Sequence, residues 1–275
     1  MQRWLIQIIM LSLLLFVTAC GKPSGTDSHD NHSKTHNDHE AMKNHDKPMI
    51  HTQWSIKKPK ANQSSSLTIR VTDHQGKPIP DFKTNHTKKM HLIVVKSDLS
   101  SFQHLHPQYQ GEGTFDISVP FSEGGKYKFI ADFVPKDGEQ SIQTHWVNVQ
   151  GKSKPTQPLK KEKRWVKKVD NNEVSLTLEK PIRANQEQML TFHFKDTQTK
   201  KEITNLQPYL GAIGHVVIIS EGAKDYLHVH PMDEKGTGPN AMFHTTFPKK
   251  GAYKVWGEFK RNGKEFTVPF VLNVL

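Results

Sequence analysis

Apolar and polar residues alternate through much of this chain. LTIRV sets Leu67, Ile69 and Val71 on one face, TFDISVPF sets Phe115, Ile117, Val119 and Phe121 on one face, and YKFIADF aligns Tyr127, Phe129, Ala131 and Phe133. A period of two marks half-buried β-strands. HLIVV is apolar on both faces, the pattern of a central strand covered on both sides. Turn signals separate the runs: DHQGKPIP at Asp73, EGG at Glu123, PKDG at Pro135. Helical periodicity is absent. Short strands at regular spacing with Gly- and Pro-rich turns predict an all-β sandwich over 54–150. Residues 169–275 repeat the plan with VSLTL, MLTFHF, HVVII, MFHTTF, YKVWGEF and FTVPFVLNV. Between them, 151–168 is rich in Lys and Pro and reads as a basic linker.

The repetition reaches individual residues. MHLIVVKSDLSSFQHLHP (Met90 to Pro107) aligns without a gap on GHVVIISEGAKDYLHVHP (Gly214 to Pro231). His91 falls on His215, His104 on His228, His106 on His230 and Pro107 on Pro231. FSEGGKYKFIADF aligns on FPKKGAYKVWGEF, which sets Tyr127 on Tyr253 and Asp132 on Glu258. Self-similarity of this length means one supersecondary unit present twice.

The N-terminus departs from this pattern. Arg3 precedes an apolar run, Trp4 to Val17, which closes on Val17-Thr18-Ala19-Cys20. The run suits a signal h-region and is short for a membrane span. The predicted signal peptide is 1–19, with Cys20 as the lipidated first residue of the mature chain. Cys20 is the sole cysteine, so an intrachain disulfide is impossible and thiolate is removed from any metal site. Residues 20–53 lack an apolar period and read as a disordered tether. Within it lie His29, His32, His36, His39, His45 and His51, a compositional candidate for weak metal binding. The formal charge is +11. On an exported chain this suggests attraction to anionic lipid or envelope polymer rather than nucleic acid.

The histidine motif carries the candidate chemistry. His104 and His106 are separated by one residue, so on an extended segment both imidazoles point the same way. His91 lies in line with Ile93 and Val95. If the two strands are hairpin neighbours, it returns beside the HxH pair at an interstrand spacing of about 5 Å. Three nitrogens can then reach one ion, with bonds of about 2.0–2.1 Å. The candidate ligands are His91, His104 and His106 in the first copy, and His215, His228 and His230 in the second. Asp132 and Glu258, the repeated acids, are candidate fourth ligands, acceptors for an imidazole N–H, or solvent-facing residues. Met90 offers a thioether in the first copy only. His145 and His193 have no counterparts and read as surface or core histidines.

The layout resembles the immunoglobulin-like domains of bacterial exported proteins, including YtkA-like lipoproteins. The residues that carry the likeness are Val17-Thr18-Ala19-Cys20, the KPIPD turn from Lys77 to Asp81, and the GGKYKFIADF strand entry. It implies tandem immunoglobulin-like folds and carries no activity. The double GH/MH…HxHP motif resembles one in exported proteins that handle metals, often copper.

Three functions stay open on these residues. One is a lipid-anchored, extracytoplasmic protein that captures or buffers copper or zinc. Another is a non-catalytic envelope-binding or adhesion module with structural histidines. The third is a metalloenzyme, disfavoured because no repeated nucleophile, general base or cofactor motif accompanies the histidines. The expectation is a cell-membrane protein that is not an enzyme.

Overall fold

The structure is a computed structural model that describes residues 49–275 apart from residue 230. The signal segment, Cys20 and most of the tether lie outside the described residues.

The first half folds as nine strands: β1 (His51–Ile56), β2 (Gln63–Thr72), β3 (Phe82–Lys83), β4 (Met90–Lys96), β5 (Phe102–Leu105), β6 (Gln108–Gly111), β7 (Thr114–Phe121), β8 (Gly125–Pro135) and β9 (Ser141–Val149). One sheet has the order β1-β2-β7-β6; the other runs β3-β8-β4-β5, with β9 on β8. The second half supplies β10 (Val166–Val169), β11 (Asn172–Thr177), β12 (Glu187–Asp196), β13 (Leu206–Gln207), β14 (His215–Ser220), β15 (Tyr226–Val229), β16 (Asn240–Thr246), β17 (Gly251–Arg261) and β18 (Lys264–Val274). Its sheets run β10-β11-β12-β16 and β13-β17-β14-β15, with β18 on β17. No helix occurs among the described residues. The chain is therefore all-β, as its alternation predicts: two tandem immunoglobulin-like sandwiches. His51, grouped above with the tether, begins β1 and pairs with Thr72.

The repeated tyrosines have a fold role. The Tyr127 hydroxyl donates to the Glu123 carbonyl at 3.1 Å, and the Tyr253 hydroxyl to the Lys249 carbonyl at 2.9 Å. Each is a tyrosine corner, which ties the start of a sandwich's sixth principal strand to the loop before it. Inside each sandwich the alternating residues form the core. The first holds Leu67, Ile69, Val71, Phe115, Phe129 and Phe133. The second holds Phe192, Phe194, Phe243, Phe259 and Phe270. Met90 lies in the first core, fully buried, on the face opposite His91. It is therefore not turned toward the histidines as a thioether ligand.

A third apolar cluster belongs to neither core. Ile93, Val95, Leu99 and Ile130 of the first sandwich pack with Val217, Ile219, Ala223 and Trp256 of the second. Apart from Leu99 and Ala223, which sit in the turns after β4 and β14, these are outward-facing positions of β4, β8, β14 and β17, which explains why HLIVV and HVVII are apolar on both faces. Phe102 stacks on Trp256 with ring centroids 4.6 Å apart and planes at 14°.

The contacts around this seam are reciprocal. Lys128 Nζ donates to the Ala223 carbonyl at 2.6 Å, and its counterpart Lys254 Nζ donates to the Leu99 carbonyl at 2.7 Å. Leu99 and Ala223 are themselves matched positions, and both are held at positive φ, 58° and 54°. Residues related by the sequence repeat thus exchange equivalent contacts. The two sandwiches face each other as pseudo-symmetric partners.

Candidate metal centre

The seam ends in a cluster of histidines. In β4 and β14 the strand alternation that points Ile93 and Val217 outward also points out His91 and His215. The β4–β5 register sets His104 opposite Ile93. The next outward position, His106, then comes back beside His91. Pro107 closes the segment directly after it. Ring centroids are 5.1 Å apart for His91–His104, 5.2 Å for His91–His106 and 4.7 Å for His104–His106. Three imidazoles on one tetrahedral ion, bonded at about 2.0–2.1 Å, hold their centroids roughly 5 Å apart. One ring nitrogen from each of the three lies within 4.8 Å of the others.

The second copy's histidines lie beside the first copy's. His215 lies 5.8 Å from His91 and 5.9 Å from His104, and His228 lies 5.5 Å from His91, all between ring centroids. Five of the six repeated histidines therefore meet in one buried cluster at the seam. The sixth, His230, lies outside the described residues.

The repeated acids also cross the seam. Asp132 pairs with His91 across β8 and β4, and Glu258 with His215 across β17 and β14. Their carboxylates nevertheless reach the other sandwich's histidine. Asp132 Oδ2 lies 2.9 Å from His228 Nδ1, and Glu258 Oε2 lies 2.7 Å from His104 Nδ1. Of the roles open to these acids, the geometry is that of an imidazole acceptor, and neither faces solvent. A carboxylate on one ring nitrogen orients an imidazole and can fix its tautomer.

The two acids are held differently. Asp132 also accepts Gln140 Nε2 at 2.8 and 3.0 Å and the Tyr226 hydroxyl at 3.2 Å. Burial pushes its carboxyl up, but the bond and charge of His228, with Gln140 and His91, outweigh this and leave it below the usual carboxylate range. Glu258 has fewer donors. Burial raises it to about 8, against the smaller opposing effects of the Tyr209 hydrogen bond and the His228 charge. At neutral pH one matched acid is ionised and the other is mostly protonated.

Desolvation, added to by neighbouring imidazoles, lowers His91, His104 and His106 to about 3 and takes His215 lower still. These rings are neutral at pH 7, the form that ligates. The donor set fits a borderline cation. His91 Nε2 lies 3.0 Å from the Asn85 carbonyl, so it must carry the proton, and Nδ1 is a bare lone pair. That nitrogen faces His104 Nε2 at 2.9 Å. Protonated Glu258 can donate to His104 Nδ1 and let His104 Nε2–H donate to His91. With Glu258 ionised and His104 Nδ1–H donating to it, two lone pairs meet, a pair that a cation would bridge. Nε2 of His106 and of His215 are buried without a hydrogen-bond partner. Unpaired buried nitrogens are costly unless something coordinates them. An open cavity of about 300 Å³, lined by Phe102, Gln103, His104, Tyr209 and Glu258 among others, flanks this end of the seam.

One participant is missed by the repeat. His86 sits in a two-residue turn before β4, closed by mutual Asn85–Lys88 backbone bonds and matched in the second sandwich by Tyr209–Ala212. Its counterpart in that turn is Leu210, so comparing the copies gives no signal for it. His86 lies 4.5 Å from His215 between centroids. The histidines without counterparts lie elsewhere: His145 stacks on Trp54, and His193 lies 3.3 Å from Glu202.

Fold and centre together define a class: tandem immunoglobulin-like sandwiches that bury a histidine cluster between facing sheets. The chain belongs to the family described as Domain of unknown function (DUF8832), which matches residues 44–151 and again 167–275. No curated protein matches the chain. Among solved structures it is similar to FdeC, an Escherichia coli adhesin, at 18% identity over 82% of this chain and 64% of that one, with a TM-score of 0.28. The chain thus spans less than two thirds of that structure. It is also similar to a two-domain fibronectin type III segment of chicken tenascin, at 11% identity over 81% of this chain and 98% of that one, TM-score 0.25. A third likeness is to invasin, a bacterial integrin-binding protein, at 13% identity over 81% of this chain and 39% of that one, TM-score 0.24. At these TM-scores they add nothing to the topology described above.

Proposed function

We propose that this chain is a non-catalytic metal-binding protein that captures or buffers copper or zinc at the histidine centre between its two sandwiches. The observation that carries the proposal is the convergence of His91, His104 and His106, with ligand atoms within 4.8 Å of one another and centroid spacings suited to one ion. Imidazole ligands suit Zn(II) and Cu(II), and copper binds more tightly at equal availability. Cys20 anchors the protein to the extracytoplasmic face of the membrane, and the His-rich tether collects ions at low affinity. The positive charge favours an anionic envelope surface. His104 and the neighbouring acid Glu258 tune the centre. His104 presents Nε2 to the ion and Nδ1–H to the carboxylate.

A second reading keeps the same fold as an envelope-binding or adhesion module; FdeC is an adhesin and invasin an integrin-binding protein. One observation favours it. With Glu258 protonated, hydrogen bonds run unbroken from Glu258 through His104 and His91 to the Asn85 carbonyl, and no ion is needed.

Metal content separates the two readings. Full-length protein, purified without an affinity tag, should carry copper or zinc. His104→Ala with His106→Ala should lose the tightly held fraction and keep only what the tether binds. Equal metal in both proteins would end the capture reading.

A further inference from the structure

We propose that the open cavity at the Glu258 end of the seam is the port through which a cation enters and leaves the histidine centre, with Glu265 as the carboxylate that receives it. This rests on the proposed function and adds a route to the site.

The two ends of the seam are related by the repeat but finished differently. QSIQTHWVNV (Gln140 to Val149) aligns without a gap on EFTVPFVLNV (Glu265 to Val274), so Gln140 falls on Glu265. Phe102 falls on Tyr226 in the same way. The strand registers agree, since Asp132 pairs with Ile142 and Glu258 with Thr267, each two residues past the matched position. At the Asp132 end, Gln140 Nε2 donates to both carboxylate oxygens at 2.8 and 3.0 Å. The Tyr226 hydroxyl donates to Oδ2 at 3.2 Å. These two side chains cap the acid. At the Glu258 end both matched caps are missing. Phe102 has no hydroxyl, and a carboxylate at position 265 accepts hydrogen bonds but cannot donate one to Glu258. The cavity of about 300 Å³ lies at this uncapped end, and Glu258, Glu265, Thr267 and Phe102 are among its lining.

The chemistry of the wall suits a cation. Glu258 and Glu265 line it, and no lysine or arginine does, on a chain whose formal charge is +11. A cleft of one sign concentrates the opposite charge and speeds its arrival. Gln103 also lines the cavity, and its Oε1 is buried without a hydrogen-bond partner. Behind this wall the ligand nitrogens begin. Glu258 Oε2 lies 2.7 Å from His104 Nδ1, and His104 Nε2 lies 2.9 Å from His91 Nδ1. His91 is 1% exposed and the His104 side chain 1%, so an ion reaches them only through an opening in the surface around them. His106, which is partly exposed, marks the rival way in.

The experiment compares the full chain with Glu265→Gln, which installs the amide of the closed end. Both are loaded with Zn(II), freed of weakly held metal on a desalting column, and mixed with excess chelator. The slow phase of release, and the slow phase of uptake by stripped protein, should each lengthen about tenfold in the variant. The metal held at saturation should stay the same, because a port changes both rates together and not the site. Glu265→Asp should keep wild-type rates. Phe102→Tyr with Glu265→Gln restores both caps and should be slower again. Thermal melts within a few degrees of wild type assign the slowing to passage and not to misfolding. Wild-type rates in Glu265→Gln and in the double variant, at unchanged metal content, overturn the port. That result leaves the centre standing and sends the ion in past His106. A wild type with no slowly released metal removes the centre itself, and the port falls with the proposed function.

Discussion

Asp132 and Glu258 occupy matched positions, make matched bonds across the seam, and should respond in opposite ways to neutralisation. In metal-free protein at pH 7, Asp132→Asn removes a buried, ionised acceptor that holds His228, Tyr226 and Gln140. A hydrogen bond to a charged group contributes about 1.5–3 kcal/mol, and a neutral one about 0.5–1.5. Gln140 can reverse its amide and keep a partner, but the bonds from His228 and Tyr226 lose their charge assistance. The expected loss is about 2 kcal/mol, a fall in Tm of roughly 4–8 °C for a protein of this size. Glu258→Gln exchanges one neutral group for another. Glu258 has a folded pKa of about 8, above its ordinary 4.5, so the folded state holds a proton that the unfolded state has released at pH 7. Wild type is penalised for this increasingly as pH rises from 4.5 to 8, and the glutamine is not. Glu258→Gln should therefore melt at or above wild type at pH 7, and further above it at pH 9. Thermal denaturation of the three proteins at pH 6, 7 and 9 decides the matter. Equal losses in both variants, or a silent Asp132→Asn, would refute the reciprocal bridges and the opposite protonation states.

Other outcomes follow from the same contacts. Trp256→Ala should cost about 3–5 kcal/mol by chemical denaturation, as for other buried Trp truncations. A double-mutant cycle with Phe102→Ala should return a coupling of about 0.5–1.5 kcal/mol, and a coupling of zero would remove the stacked pair from the seam. The metal-free protein should lose stability as pH falls from 6.5 toward 3. His91, His104 and His106 fold with pKa values near 3, below the usual 6.5, so the unfolded chain binds more protons throughout that window. A flat urea midpoint across this range would contradict the burial of neutral imidazoles. Tyr253→Phe should lower stability by about 1 kcal/mol through its tyrosine corner, and Tyr127→Phe should do the same. No change in either would mean that the hydroxyls do not hold the loops.

Much of this architecture is legible in the residues. Alternation in LTIRV and YKFIADF gives the strands, and the ungapped repeat gives two sandwiches. The HxH spacing with His91 in line with Ile93 gives the triad, because period-two geometry and a hairpin return are local rules. The seam was signalled but not addressed. Ile93, Val95, Val217 and Ile219 are apolar outward positions that need a cover, and a strand pattern does not say which surface provides it. The partner is the repeat's own second copy, which brings histidines of both copies into one cluster. Asp132 and Glu258 stood out as the repeated acids, yet their reach across the seam depends on how the sheets face each other. His86 left no trace, since Leu210 replaces it in the other copy and its ring direction is set by a left-handed turn.

The central claim is that the histidines at the seam bind metal. Its most direct test is an anomalous difference map from crystals of the protein loaded with Cu(II) or Zn(II), collected at the metal edge. A peak within bonding distance of His91, His104 and His106 is the predicted result. A map with no density among those three rings, and metal only at histidines away from the seam such as His193 or His244, would contradict it.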